Sequence, residues 1–145
     1  MILSADTNLF LYAANPASPH HPHHPASQKF FAHEASGQQR FLLCGLVRVE
    51  IYLQLRNPAV PAKEAAAFCE ALRSNPAWEC ADYEPDIAPP LWKWAAKTNT
   101  GFRHIIDARL ALTLRHHGIT HFATANVKDF KGFRFEEVWN PILEE

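Results

Sequence analysis

The chain has 145 residues, of which 48% are hydrophobic and 20% are charged. This is the composition of one globular domain, so we expect a single domain over residues 1–145. No apolar run reaches the roughly 18 residues that a membrane-spanning helix needs, and the first residues lack the pattern of a secretory signal. We therefore expect a cytoplasmic protein that makes no contact with a membrane.

The net charge and the cysteine content limit which classes of protein this chain can belong to. Fourteen basic and 15 acidic residues give a net charge of −1, so the molecule as a whole does not attract a polyanion. Nucleic-acid binding would need a local basic patch. The three cysteines, at positions 44, 69 and 80, have no C-x-x-C spacing, and we expect reduced, buried thiols rather than a disulfide framework or a zinc site.

The N-terminal part of the chain begins with a short buried strand. Ile2–Ala5 is an apolar run without polar alternation, which is typical of a strand covered on both faces. Leu9–Ala14 follows with a helical pattern. Asn15–Pro25 contains four prolines and four histidines, and it predicts a loop because proline has no amide hydrogen to donate.

The rest of the chain alternates between helical and strand patterns. The helical patterns are Ala26–Ser36, Leu46–Leu55, Pro61–Leu72, Pro90–Ala96 and His104–His117. The strand patterns are Phe41–Cys44, Trp78–Tyr83, His121–Ala125 and Phe133–Trp139. Strands separated by helices predict an α/β fold, a three-layer α/β/α sandwich around a mainly parallel sheet.

Polar groups from four distant segments fall at one edge of this predicted sheet. Asp6 ends the first strand, while Asn126 and Asp129 follow a later one. Glu50 and Asp107 lie near the starts of two helices, each at the head of an apolar stripe. Because open parallel sheets place their sites beyond the carboxyl ends of the strands, we expect these five groups to meet there.

A cluster of this kind has a chemical requirement. Several carboxylates in a partly dry site repel one another unless a cation neutralises them. Ligands that are all oxygen, with no cysteine or histidine, favour Mg²⁺ or Mn²⁺ over zinc. Such an ion activates water and stabilises charge on a phosphodiester under attack. The chemistry that this pattern indicates is hydrolysis of a nucleic-acid backbone.

Four sequence motifs, in this order, resemble those of the PIN-domain ribonucleases. They are SADTNLFLYA at the N-terminus, RVE in a helical pattern, IIDARLA in a later helix and ATANVKDF before the last strand. The resemblance covers nearly the whole chain and is greatest to the VapC toxins of bacterial toxin–antitoxin systems. It implies a PIN-like fold, an endoribonuclease that acts as a toxin, a cognate antitoxin that covers the site, and a homodimer.

The resemblance also implies roles for individual residues. Asp6, Glu50 and Asp107 would be ligands to Mg²⁺ or Mn²⁺. The fourth position of the pattern is often an aspartate in the family but is Asn126 here, which removes one charge. Asp129 is then the acid that would bind a second metal or hold a water. The small polar residues that would orient these ligands are Thr7, Asn8 and Thr124.

Each acid also has an interpretation without a function. Asp6 fits the N-cap of the helix that follows it, and Asp107 in a first turn complements the helix dipole. Glu50 fits a solvated helix face, and Asp129 fits the start of a turn. Four such roles would have no reason to share one sheet edge, so the set favours the metal site.

Two other functions remain open on the sequence. A non-catalytic PIN-like module would bind RNA or a protein, with Asn126 marking a decayed site. A phosphatase or receiver-like phosphotransfer domain would also place acids at strand ends. However, a phosphatase of the haloacid dehalogenase type needs a second aspartate where this chain has Asn8, and a receiver needs paired acids near the N-terminus.

Three further groups of side chains are ambiguous. The histidines of the proline-rich segment predict at most adventitious nickel or zinc binding. The tryptophans predict core or interface anchors, and basic residues near the acids fit either RNA backbone contacts or an ordinary charged surface. The histidines are His20, His21, His23 and His24; the tryptophans are Trp78, Trp92, Trp94 and Trp139; the basic residues are Arg48, Lys97, Arg103, His104, Lys128 and Lys131.

Overall fold

Parallel strands form the centre of the molecule. A computed structural model describes residues 2–14, 24–35, 40–44, 61–76, 78–98 and 102–143. The strands in these ranges are β1 (Ile2–Ala5), β2 (Arg40–Cys44), β3 (Trp78–Ala81), β4 (His121–Ala123) and β5 (Glu137–Trp139). They form one sheet in the order β3-β2-β1-β4-β5, and every neighbouring pair is parallel. This confirms the predicted α/β fold and adds the strand order, which the sequence pattern did not supply.

Helices connect these strands along the chain. The α-helices of the described ranges are α1 (Thr7–Ala14), α2 (His24–Lys29), α3 (Ala62–Ser74), α4 (Ala88–Thr98), α5 (Phe102–His116) and α6 (Val127–Phe130). A π-helical segment, Phe30–Ala35, continues α2, and a 3₁₀ turn, Pro85–Ile87, precedes α4. The predicted helix Leu46–Leu55 lies outside the described residues.

Several boundaries differ from the sequence predictions. The helix predicted from Leu9 begins two residues earlier, directly after Asp6. His24 and Pro25, predicted as loop, are the first residues of α2, where proline is tolerated because the first amides of a helix have no partner within it. The strands predicted to Tyr83 and Ala125 both end two residues sooner.

The last strand is shorter than its alternating pattern predicts. Only Glu137–Trp139 pairs with β4, because Arg134 adopts a φ of 64°, a left-handed conformation that breaks an extended strand. The aromatic residues before β5 pack inward nevertheless. The ring of Phe133 lies 5.2 Å from that of Trp94, and the ring of Phe135 stacks 5.4 Å from that of Phe122. The alternation of apolar and polar residues over Phe133–Trp139 therefore reflects packing against the core and not a longer strand.

The apolar core lies on β1 and β4 and on the helices that cover them. Leu3 of β1 and Phe122 of β4 are fully buried, as is Leu114 in the apolar stripe of α5. Fully burying side chains of this kind stabilises the fold by roughly 1.5–3 kcal/mol each. Cys69 is in no disulfide but is only half-buried, so the expectation of a buried thiol was wrong for this cysteine.

Candidate active site

Two neighbouring strands end at the same sheet edge and deliver polar residues there. Ala5 of β1 is in register with Ala123 of β4, so the residues after each strand leave the sheet side by side. The amide of Asp6 donates a hydrogen bond of 2.9 Å to the carbonyl of Ala123. The backbone of Asp6 is thereby fixed against β4 at the carboxyl edge of the sheet, where the sequence pattern predicts a site.

The carboxylate of Asp6 is buried and oriented by two hydrogen bonds. Only 9% of this residue is exposed to solvent. Its Oδ1 accepts a bond of 2.8 Å from the amide of Thr7, and its Oδ2 accepts one of 2.8 Å from the hydroxyl of Thr124. The bond from Thr7 satisfies one of the amides at the start of α1, which is the part of this arrangement that a local role at the helix start explains. A local cap does not account for the second bond, which comes from a residue far along the chain.

Thr124 continues this arrangement towards the next polar groups. It is completely buried, and its hydroxyl accepts a bond of 3.0 Å from the amide of Asn126 while it donates to Asp6. The carbonyl of Asn126 in turn accepts a bond of 3.0 Å from the amide of Asp129 as α6 begins. One set of hydrogen bonds therefore links the predicted ligands that follow β1 and β4.

The helix α5 supplies the remaining described acid and a histidine. Asp107 is half-buried, and His104 lies three residues before it on the same helix face. Nε2 of His104 lies 4.0 Å from Oδ1 of Asp129, so α5 and α6 meet at this point. Contacts thus run from Asp6 through the residues after β4 to the helix that carries Asp107.

Other predicted site residues are less closely tied to this group. Glu50 lies outside the described residues, and Asn8 is half-buried in α1. Over the ranges that the structure describes, no three Asp, Glu, His or Cys side chains form a group that could hold a metal ion. A complete ligand set therefore remains a prediction, and it requires a contribution such as that of Glu50.

The chemistry of the described donors fits a hard divalent cation. The carboxylates of Asp6, Asp107 and Asp129 and the amide of Asn126 offer oxygen ligands, the kind that Mg²⁺ and Mn²⁺ prefer. Asp6 is also held in one orientation by hydrogen bonds to both of its oxygens, as a metal ligand needs to be.

Sequence reasoning missed one residue of this region. The Nδ2 group of Asn140 lies 3.5 Å from the carbonyl of Ala125, and its Oδ1 accepts a bond of 3.1 Å from the amide of Ile142. Asn140 therefore ties the segment after β4 to the segment after β5. Asn140 directly follows a strand, as Asp6 does, and this position could have indicated it from the sequence.

The ambiguous histidines and tryptophans are only partly described. His24 begins α2, and the other three loop histidines lie outside the described residues. Trp94 and Trp139 are half-buried against the core, whereas Trp92 is 62% exposed and is not a core anchor.

Comparison with known proteins decides the family. The protein named Ribonuclease VapC24 from two strains of Mycobacterium tuberculosis, CDC 1551 and H37Rv, is 40% identical to this chain over 149 aligned residues, and the alignment covers 99% of both proteins. The chain belongs to the VapC ribonuclease family. No protein-family model matches it.

A solved structure agrees with this membership at the level of the fold. The crystal structure of M. tuberculosis VapC20, a toxin described as cleaving the sarcin–ricin loop, superposes with a TM-score of 0.66 over 83% of this chain and 86% of that one. At 18% identity the likeness concerns the fold. Membership in the VapC family confirms the resemblance drawn from the four motifs and favours a nuclease over the phosphotransfer alternative.

Proposed function

We propose that this VapC-family chain is an endoribonuclease that requires Mg²⁺ or Mn²⁺ and acts as the toxin of a toxin–antitoxin pair. The observation that carries the proposal is the buried carboxylate of Asp6, which two hydrogen bonds orient at the carboxyl edge of β1. Burial alone calls for partners on the oxygens of this carboxylate, but the partner of Oδ2 is Thr124, which also binds the amide of Asn126 and so joins Asp6 to the next predicted ligand. This arrangement holds the carboxylate in the fixed orientation that a metal ligand needs.

The residues that would hold the ion are Asp6, Asp107 and Glu50, with Asn126 or Asp129 completing the set. When bound, the ion supplies activation of water and stabilisation of charge on the phosphate. In the reaction a water oxygen forms a bond to phosphorus, one bridging P–O bond breaks, and the leaving oxygen takes up a proton. Thr7 and Thr124 hold Asp6 in place throughout, and Asp129 lies at the solvent side, where a water or a second ion would bind.

A direct test uses the purified chain on total bacterial RNA with Mn²⁺. We expect discrete cleavage products that disappear with EDTA and in Asp6→Asn and Asp107→Asn. Both substitutions are close in size to the native side chain and remove one negative charge. Cleavage that persists undiminished in EDTA or in Asp6→Asn would refute the assignment. Mapping the product ends would also show whether the chain shares the sarcin–ricin loop as a target with VapC20.

We also propose that the chain binds a protein partner, a cognate antitoxin. An apolar groove of about 370 Å³ lies among α1, α2 with its π-helical extension, and α3. Its lining includes Phe10, Phe31, Phe68 and Leu72, and α1 starts directly after Asp6. The groove supports the proposal that a cognate antitoxin covers the region next to the site. Co-expression of the gene with its neighbouring small open reading frame, followed by purification of a complex, tests this.

A homodimer and a cytoplasmic location complete the proposal. Two exposed apolar side chains, Trp92 at 62% and Leu143 at 72% exposure, offer surface for a second copy. Sedimentation equilibrium tests the dimer. Within the described ranges, no helix has the length and apolar character needed to cross a bilayer.

A further inference from the structure

The polar groups at the sheet edge lie at graded depths. Asp6 is 9% exposed, and the side chain of Asp129 is 36% exposed. The side chain of His104 is 60% exposed. Of these three side chains, His104 is the one most open to a polymer that approaches the acids from solvent. RNA cannot enter a buried site as a whole, so side chains at the mouth are the ones that its backbone contacts.

The contact between His104 and Asp129 is not a hydrogen bond. The distance of 4.0 Å between Nε2 and Oδ1 exceeds the range of about 2.7–3.2 Å that such a bond occupies. At this exposure an ion pair would contribute little to stability. Across the described ranges, the contact with Asp129 is the ion-pair contact that the imidazole makes. The imidazole therefore lies beside the acids but does not fix their position by a hydrogen bond.

The placement of His104 relative to Asp107 is fixed by α5. Residues three apart share a helix face, so the imidazole and the Asp107 carboxylate project from the same side of one rigid element. An imidazole carries an N–H in its neutral form as well as in its cation. It can therefore donate to a phosphate oxygen whichever form is present.

We infer that His104 contacts the RNA substrate and donates a hydrogen bond to a phosphate next to the one that is cleaved. This inference rests on the proposed function. Of the six basic residues considered from the sequence, His104 is the one that the described contacts place against a candidate ligand. The contact is with substrate in both ground state and transition state. Its loss should therefore raise KM and leave kcat nearly unchanged.

The test compares three variants on a fluorescein-labelled RNA oligonucleotide that spans a mapped cleavage site. His104→Ala removes the donor, and His104→Gln keeps an N–H donor on a side chain of similar reach. His116→Ala is the matched control, because it removes an exposed histidine from the far end of the same helix, about 18 Å away at 1.5 Å per residue. Thermal melts confirm that all three remain folded.

We expect His104→Ala to raise KM about 10-fold, as for loss of one hydrogen bond to a charged group. We expect kcat within about 2-fold of wild type, since uniform binding does not alter the chemical step. His104→Gln should recover most of the affinity, and His116→Ala should match wild type. Two further readouts avoid turnover. In an Asp6→Asn background, fluorescence anisotropy should show the same weakening of RNA binding, and the Mn²⁺ affinity of His104→Ala should equal that of wild type.

Two results would overturn the inference. One is a wild-type KM in His104→Ala. The other is a loss of kcat together with Mn²⁺ affinity, which would mean that His104 acts by positioning Asp129. A wild-type protein that cleaves no RNA would instead overturn the proposed function itself, and this result is visible before any His104 variant is compared.

Discussion

The hydroxyl of Thr124 donates a hydrogen bond of 2.8 Å to Oδ2 of Asp6, although the two residues are 118 positions apart in the chain. The same hydroxyl accepts a bond from the amide of Asn126. Because Thr124 is completely buried and its bond to Asp6 is buried as well, bulk water cannot replace the bond to Asp6 when the hydroxyl is removed. The orientation of Asp6 therefore depends on a residue that follows a different strand.

Thr124→Val tests this dependence. Valine keeps the shape of threonine but leaves one oxygen of Asp6 and the amide of Asn126 without their buried partner. We expect Mn²⁺ affinity to fall by about 10-fold or more, as for loss of a group that orients a ligand. The free energy of unfolding should fall by about 1–3 kcal/mol. Calorimetric titration of Mn²⁺ and urea denaturation measure the two effects.

Thr113→Val provides the control for that experiment. Thr113 is 1% exposed, and its hydroxyl donates a bond of 2.7 Å to the carbonyl of Arg109 within α5. This substitution removes a buried hydroxyl away from the acids, so Mn²⁺ affinity should stay at the wild-type value. Equal loss of affinity in both valine variants would show that Thr124 acts through general stability and not through Asp6.

Asn126→Asp should strengthen the metal site. The substitution adds the negative charge that the resemblance to PIN-domain ribonucleases implies for this position, and it places a carboxylate in the segment that follows β4. Asn126 is exposed, so the cost in folding stability should be small. We expect tighter Mn²⁺ binding and no loss of RNA cleavage. Unchanged or weaker binding in Asn126→Asp would place this residue outside the metal site.

Gly118→Ala should destabilise the fold through backbone conformation alone. Gly118 has a φ of 84°, in the left-handed region, two residues after the last residue of α5, and an added Cβ would meet only Ile2 Cδ1 at 3.9 Å. We expect a loss of about 1 kcal/mol or more in the free energy of unfolding. Gly132→Ala is the control, because nothing lies within 4 Å of its added Cβ. Urea denaturation of both variants decides, and equal midpoints would contradict the expectation.

Much of the fold could be predicted from local patterns. The apolar run of Ile2–Ala5 and the stripe of α5 depend on burial along one element, and both elements are present. Strand order depends on long-range pairing that no local pattern encodes. The helix α6 was not predicted because four residues are too few to show a period. The burial of Phe130, whose ring lies 4.8 Å from that of Phe122, holds it in place.

The candidate site could also be predicted only in part, because local positions were predictable and contacts between distant segments were not. The position of Asp6 after a buried strand predicted the sheet edge correctly. The bond from Thr124 to Asp6 and the approach of His104 to Asp129 could not be predicted, because each joins segments whose relative position depends on strand order. Sequence spacing placed His104 only among several possible basic contacts. The structure brings it within 4.0 Å of an acid.

We claim that carboxylates far apart in the chain share one divalent ion, and isothermal titration calorimetry with Mn²⁺ measures whether they do. Wild type, Asp6→Asn, Asp107→Asn and the double variant are compared. We predict a saturable site in wild type, a large loss in each single variant, and little further loss in the double variant, because both ligands serve the same ion. Mn²⁺ binding that is equal in wild type and both single variants would contradict the claim.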